Sequence, residues 1–518
     1  MRDPGVAQED SAPGPGEARL LASGALLQQV AQASGLVALL VVVTALARRI
    51  SVSELGAYGL VASLAGYLLV LRNSVTSAAV RTMAAAVDPA ERTRIFTAAA
   101  ALYGLVGVAT GVLVAAAALA IGGLILEGEL GRHARTGGLG LGGVTALGIA
   151  ASVYLDALRA QRLFSRAALI EIAAVCLYLA VMLALILGNA DLAAVIAVSG
   201  AMPLLSGLLS AAVVRAMRLP FRLIRGAATR ARAMQIVPMA GWLLVVELSN
   251  LVMYAFDRVL LGAFHSARTV GLYEGPVRAH NLLYALGGAL AVPTVPTASR
   301  YVATEDERRL RELAVRGTRY TLALFVPLCV TLMALAKPLL ETWLGDRYGG
   351  GATALMILVS YWLLYGGLVT TPGFLVGAGR ARDVARIVAA VAAANLALSL
   401  ALTPSLGLEG PALGTAIPFV LAFPLLLRLG LAASGASLAE LAQRAWLPAY
   451  SLAAVLGAAL VTLRLVSDID TLPAVVAAGA GGVLAYWLAF YALWLDADER
   501  GLVRGLARPR PRFSVDDR

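Results

Sequence analysis

The chain has 518 residues, 60% of them apolar and only 14% charged, with a mean hydropathy of +0.81. A soluble domain holds about half apolar and a quarter charged residues, so these proportions exclude a soluble enzyme, a secreted disulfide scaffold and a disordered regulator. Long runs of Ala, Leu and Val, without two-residue alternation, also exclude an outer-membrane barrel, which leaves an all-α polytopic membrane protein. The net charge of +11 fits the excess of arginine in cytoplasmic loops and calls for no nucleic acid. Cys176 and Cys329 both fall inside apolar stretches, so no disulfide is expected.

Residues 1–19 are polar, lack a basic start followed by an apolar stretch, and are expected to form a cytoplasmic tail rather than a signal peptide. Fourteen apolar runs follow, each long enough to cross a bilayer. They lie at about 20–46, 56–80, 97–126, 139–158, 167–187, 191–214, 233–256, 272–297, 318–340, 351–376, 384–403, 411–429, 446–464 and 473–495. The spacing predicts a first lobe over 20–214, a linker at 215–232, a second lobe over 233–429, two further helices within 430–495 and a tail at 496–518. With the N-terminus inside, inner segments hold 31 of the 42 Lys and Arg and outer segments hold 9. Both termini are therefore expected in the cytoplasm.

The linker RAMRLPFRLIRGAATRAR, Arg215 to Arg232, interleaves six arginines with Met217, Leu219, Phe221, Leu223 and Ile224. A basic amphipathic segment of that kind is expected to lie on anionic lipid headgroups. An internal repeat also emerges. Ser51-Val-Ser-Glu-Leu-Gly56-Ala-Tyr58 and Ser266-Ala-Arg-Thr-Val-Gly271-Leu-Tyr273 share the pattern S-x-x-x-hydrophobic-G-x-Y. Each copy follows the first helix of its lobe and leads into the second. This predicts two pseudo-symmetric six-helix lobes around a central cavity, where transporters of such design hold their substrate.

These stretches carry a family resemblance. RRISVSELGAYGL (Arg48 to Leu60), DRVLLGAFHSARTVGLY (Asp257 to Tyr273), LETWLGDRY (Leu340 to Tyr348), GAGRARDVAR (Gly377 to Arg386) and LGLEGPALGTA (Leu406 to Ala416) resemble the polysaccharide flippases of the multidrug/oligosaccharidyl-lipid/polysaccharide exporter superfamily. The resemblance implies a bacterial inner-membrane protein that moves undecaprenyl-diphosphate-linked oligosaccharides from the inner to the outer leaflet by alternating access. No cofactor is expected, coupling is open among a proton, Na+ and the membrane potential, a monomer is expected because the site would lie within one chain, and a polysaccharide polymerase or glycosyltransferases are candidate partners. The thirteenth and fourteenth helices fit that branch and the lipid II flippase better than the twelve-helix multidrug branch.

An ionisable residue inside a span is costly and marks a functional candidate. Arg72 and Arg278 lie roughly 24 Å and 10 Å below the outer surface at 1.5 Å per residue, and could hand a diphosphate along the lobe interface. Arg48 and Arg49 sit at the outer mouth, able to meet an emerging headgroup or to snorkel. Gln28, Gln32, Asn73, Asn250, Tyr254, Asn281 and Tyr284 are candidate polar residues of the cavity. Glu247 is the candidate for proton or cation coupling, as a partner of Arg278. Asp156 and Glu171 are expected to be solvated at inner helix ends, Asp257 and Arg258 to pair with each other, and Pro293 with Pro296 to form a hinge.

Two rivals remain. A multidrug exporter of the same fold would want an acidic, aromatic cavity. A membrane-embedded glycan polymerase would want a large outer loop or a carboxylate-rich catalytic loop, whereas the longest outer connection is about 16 residues and no metal-ligand spacing occurs.

Overall fold

The computed structural model describes residues 15–86, 88–238, 240, 256–291, 293–497 and 499–501. Every regular element among them is helical. Thirteen candidate spans are found there when the bent pair α7–α8 is counted as one. The expected run at 233–256 lies mostly outside the described residues. The chain divides into two compact units, Met1–Glu274 and Gly275–Arg518.

The first unit contains α1 (Pro15–Arg49), α2 (Val52–Ala85), α3 (Pro89–Leu124), α4 (Gly128–Ala151), α5 (Val153–Ala160), α6 (Phe164–Leu187), α7 (Leu192–Val198), α8 (Met202–Ala216) and the short α9 (Arg230–Ala233). It also contains α10 (256–264) and the first two turns of α11 (Ala267–Ala291). Helix starts follow their capping residues. Ser51 and Glu54 form a reciprocal capping box on α2, and Asp88 accepts two amides at the start of α3, ahead of Pro89. Asp191 caps α7 through the Ala193 amide, which holds its carboxyl below the usual range, and His133 Nδ1 adds a contact at 2.5 Å.

In lipid, helices associate by close van der Waals approach rather than by escape from water. The pair α3–α4 shows how: Gly107, Gly111 and Gly122 face Ala146, Gly142 and Gly131, and an added Cβ on any of the three would press on a backbone carbonyl opposite. An expansion of side chains along this seam would push the two helices apart.

The second unit begins with the rest of α11. Pro293 stands at the N-cap of α12 (Thr294–Ala303), and Ala267–Ala303 together make one candidate span. Then come α13 (Glu307–Ala334) and α14 (Ala336–Leu344), followed by one irregular span over Asp346–Gly377 comprising α15 (Ala352–Ser360), α16 (Trp362–Tyr365) and α17 (Thr371–Gly377). Next are α18 (Ala381–Leu406) and α19 (Glu409–Ser434), then α20 (Leu438–Leu441), α21 (Leu447–Val466) and α22 (Leu472–Leu493). The α18–α19 hairpin repeats the small-residue seam: Gly410 lies on Thr403, Gly414 on Ser399, and Asn395 donates to Thr415 at 3.0 Å.

The last two helices dock on α13. Trp487 Nε1 donates to the Ala323 carbonyl at 2.9 Å, and Tyr486 to the Ala449 carbonyl at 3.1 Å. Beyond α22, Glu499 is buried and accepts from Arg319 (3.1 Å) and Tyr320 (2.7 Å) of α13.

Candidate functional site

Three polar assemblies interrupt the apolar helices, two in the first unit and one in the second. The first gathers on Asp156 of α5, which is fully buried. Tyr103 of α3 and Thr76 of α2 donate to its Oδ2 at 2.6 and 3.1 Å, and Arg159 donates to Oδ1 at 2.8 Å. Arg72 reaches from α2, donating to Ser152 Oγ at 2.9 Å with its terminal nitrogen 3.9 Å from Asp156. Arg159 spends its other arm on Glu171 of α6 (2.8 Å), and Glu171 accepts from Gln28 of α1 at 3.0 Å. Five elements are thus tied by two arginines and two carboxylates, so the charge is balanced and most polar atoms are satisfied.

This corrects the expectation that Asp156 and Glu171 are solvated: Asp156 is the hub of the assembly, and Glu171 is half-buried. Helix-end position suggested water, but α2, α3 and α6 close over the carboxylate. Gln28 is committed to a neighbouring helix, while Gln32 and Asn73 are exposed. Arg72 keeps a partly exposed guanidinium alongside its contacts.

The second assembly lies where the two repeat copies meet. A Cβ on Gly56 would overlap the Ala267 carbonyl, and one on Gly271 would overlap the Val52 carbonyl. Next to this contact, Arg258 donates to Glu274 Oε1 at 2.5 Å and to the Tyr67 hydroxyl of α2. Arg258 and Glu274 are 2% and 0% exposed. Gly59 leaves the room that Glu274 occupies, since a Cβ there would overlap its carboxylate. Asp257 instead accepts from Tyr273 at 3.0 Å. The expected Asp257–Arg258 pair is therefore replaced by two contacts reaching sixteen residues along the chain. Neighbours in a helix point about 100° apart, so each finds its own partner on α11. Arg48 and Arg49, at the end of α1, are exposed, and Arg49 donates to Asn189 at 3.4 Å.

The third assembly is on α11 in the second unit. Arg278 and Asn281 are half-buried and Tyr284 is exposed. His280 is buried, 2.7 Å from the Tyr361 hydroxyl, within a layer of Trp362, Tyr365, Phe325 and Phe419. Glu247, Asn250 and Tyr254 lie outside the described residues, and with them the proposed Glu247–Arg278 pair. No group of three or more His, Cys, Asp or Glu that could hold a metal occurs among the described residues. The arrangement offers cationic donors and amides.

Comparison with known proteins agrees with this picture. Residues 45–351, more than half of the chain, match a family described as polysaccharide biosynthesis protein. No curated protein sequence matches. Among solved structures, the chain is similar to the lipid II flippase MurJ in an inward closed conformation, at 14% identity and a TM-score of 0.69, covering 92% of this chain and 100% of that one. It is also similar to an inward-facing multidrug resistance MATE family transporter of the MOP superfamily (15%, TM-score 0.66, covering 78% and 96%). A third is the Vibrio cholerae MATE transporter VcmN in a bent form (14%, TM-score 0.53, covering 81% and 98%). At these identities the likeness is one of fold, and the fold is that of a multi-pass membrane protein. The chain belongs to the polysaccharide biosynthesis protein family and shares the fold of the lipid II flippase MurJ and of the MATE transporters.

Proposed function

We propose that the protein flips an undecaprenyl-diphosphate-linked oligosaccharide from the inner to the outer leaflet of the bacterial cytoplasmic membrane. It works as a monomer with both termini in the cytoplasm, driven by a proton or Na+ gradient or by the membrane potential. The observation that carries the reading is the extent of the likeness to the lipid II flippase. It takes in 92% of this chain against 78% for the MATE transporter. Membership of a polysaccharide biosynthesis family supports a glycan cargo.

In this mechanism Arg278 and, independently of it, the exposed edge of Arg72 each offer a guanidinium fork to phosphate oxygens, and Asn281 with Tyr284 meets the first sugar. The reciprocal glycine contact between α2 and α11 seals the outer face, and the outward-open state separates α2 from the α10–α11 hairpin. Burial of the Arg258–Glu274 pair beside that seal makes the closed state a discrete one, because parting the helices wets both charges together.

Native mass spectrometry of the purified protein with undecaprenyl diphosphate, bare and sugar-linked, at two salt concentrations tests this. The expected result is retained lipid diphosphate that falls with salt and is lost in Arg278→Gln. Retention of cationic drugs with no lipid diphosphate would reassign the protein as a multidrug exporter.

A further inference from the structure

The linker between the halves of the sequence is the most basic segment of the chain, and its conformation is not helical. From 219 to 229 it has no regular structure. It is instead strapped along the start of α3 by that helix's threonines. Thr93 Oγ1 donates to the Pro220 carbonyl, Thr97 Oγ1 donates to the Arg222 carbonyl at 3.2 Å, and the Ile224 amide donates back to Thr97 Oγ1 at 3.2 Å. Phe221 anchors it from below, buried against Phe96 with ring centroids 5.2 Å apart. Arg232 closes the far end on Glu91 at 3.1 Å.

Fixing the backbone this way dictates what faces outward. With Phe221 turned in, Leu223 and Ile224 are left 64% and 43% exposed. They are flanked by exposed Arg218, Arg222, Arg225 and Arg230. Residues 215–232 contain no Asp or Glu, and among the described residues no carboxylate forms an ion pair with any of these four arginines. That contrasts with the surface arginines Arg311, Arg316 and Arg444, which pair with Glu440 and Glu312. The level of the strap is also informative. It crosses α3 between the polar run Glu91-Arg92-Thr93-Arg94 and the apolar run that starts at Ile95, the boundary where headgroups meet hydrocarbon.

We propose that the 217–230 segment is a binding surface for anionic phospholipid, with Leu223 and Ile224 entering the acyl boundary while Arg218, Arg222, Arg225 and Arg230 hold headgroup phosphates. Charge complementarity selects this occupant: four unneutralised guanidinium groups around two apolar side chains match a phosphate layer above hydrocarbon. This surface is separate from the transport reading and stands whatever cargo the protein carries.

The test is native mass spectrometry of the full-length protein titrated with phosphatidylglycerol or phosphatidylcholine. The wild type is compared with Arg222→Gln/Arg225→Gln, with Leu223→Ser/Ile224→Ser, and with Arg132→Gln/Arg135→Gln as a charge-matched control in the α3–α4 region. Phosphatidylglycerol affinity is expected to fall about fivefold for each strap arginine removed, to weaken with salt, and to be unchanged in the control. The Leu223/Ile224 variant is expected to weaken both lipids. Equal retention of the two lipids by the wild type would overturn the proposal. So would a loss in the control as large as in the strap variant, with all variants melting at the same temperature.

Discussion

Gly56 and Gly271 stand 215 residues apart in the sequence and each makes room for a carbonyl of the other's helix, Ala267 for Gly56 and Val52 for Gly271. Ala267 is itself 215 residues from Val52, so the repeat offset maps either contact onto the other. The two copies of the motif therefore meet each other across a local two-fold relationship. Gly59 and Glu274 are also equivalent positions, and there the symmetry breaks: one copy is emptied so that the other can carry a buried carboxylate.

The glycine contact leads to a first prediction. If the protein is the flippase proposed above, Gly56→Val and Gly271→Val are each expected to cut export of the glycan to about a tenth or less, since overpacking a tight contact costs about 1–3 kcal/mol. Gly66→Val, on the same helix with nothing within 4 Å of its missing Cβ, is expected to retain export. Surface polysaccharide in cells complemented with each variant reads the difference. A Val52→Cys/Ala267→Cys pair is further expected to stop export under oxidant and recover with reductant.

The Arg258–Glu274 pair invites a thermodynamic cycle. Removing one partner strands the other charge, so Arg258→Met and Glu274→Gln should each destabilise the protein by about 3 kcal/mol or more, while the double variant costs much less than their sum. Reversible unfolding in mixed micelles measures this, and additive losses would show that the two side chains act separately.

Asp156 and Arg72 should differ sharply in cost. Asp156 collects Tyr103, Thr76 and Arg159 in full burial, so Asp156→Asn is expected to lose about 3 kcal/mol by leaving Arg159 and Arg72 short of a counter-charge. Arg72→Gln gives up a hydrogen bond to Ser152 and a distant ion pair from a partly exposed side chain. A loss nearer 1 kcal/mol is expected, with a larger effect on lipid-diphosphate retention than on melting temperature. The same preparations used for binding supply both numbers.

At the end of the described chain, Glu499 ties the segment after α22 back to Arg319 and Tyr320. Glu499→Leu should release that segment, and limited proteolysis is expected to cleave near 494–501 many times faster than in the wild type. Unchanged cleavage would mean that the Trp487 and Tyr486 bonds alone hold α22 in place.

The membrane class, the approximate helix boundaries and the internal repeat were legible from residue order, because hydropathy acts over windows of about 20 residues and a span must satisfy its own backbone. The expected run at 351–376, for instance, falls within the observed Asp346–Gly377 span, although its break into three short helices was not foreseen. Partners were another matter. The sequence shows Asp257 beside Arg258 and Asp156 near a helix end, and from that alone a local pair and a solvated carboxylate are the simplest readings. Only packing brings Tyr273 to Asp257, Glu274 to Arg258, and Tyr103 with Thr76 to Asp156. Bilayer insertion is a property of each segment by itself, whereas the satisfaction of a buried charge depends on which other segments close over it. That is why the sequence alone determined what kind of protein this is, and the tertiary structure decided which of its polar residues hold it together.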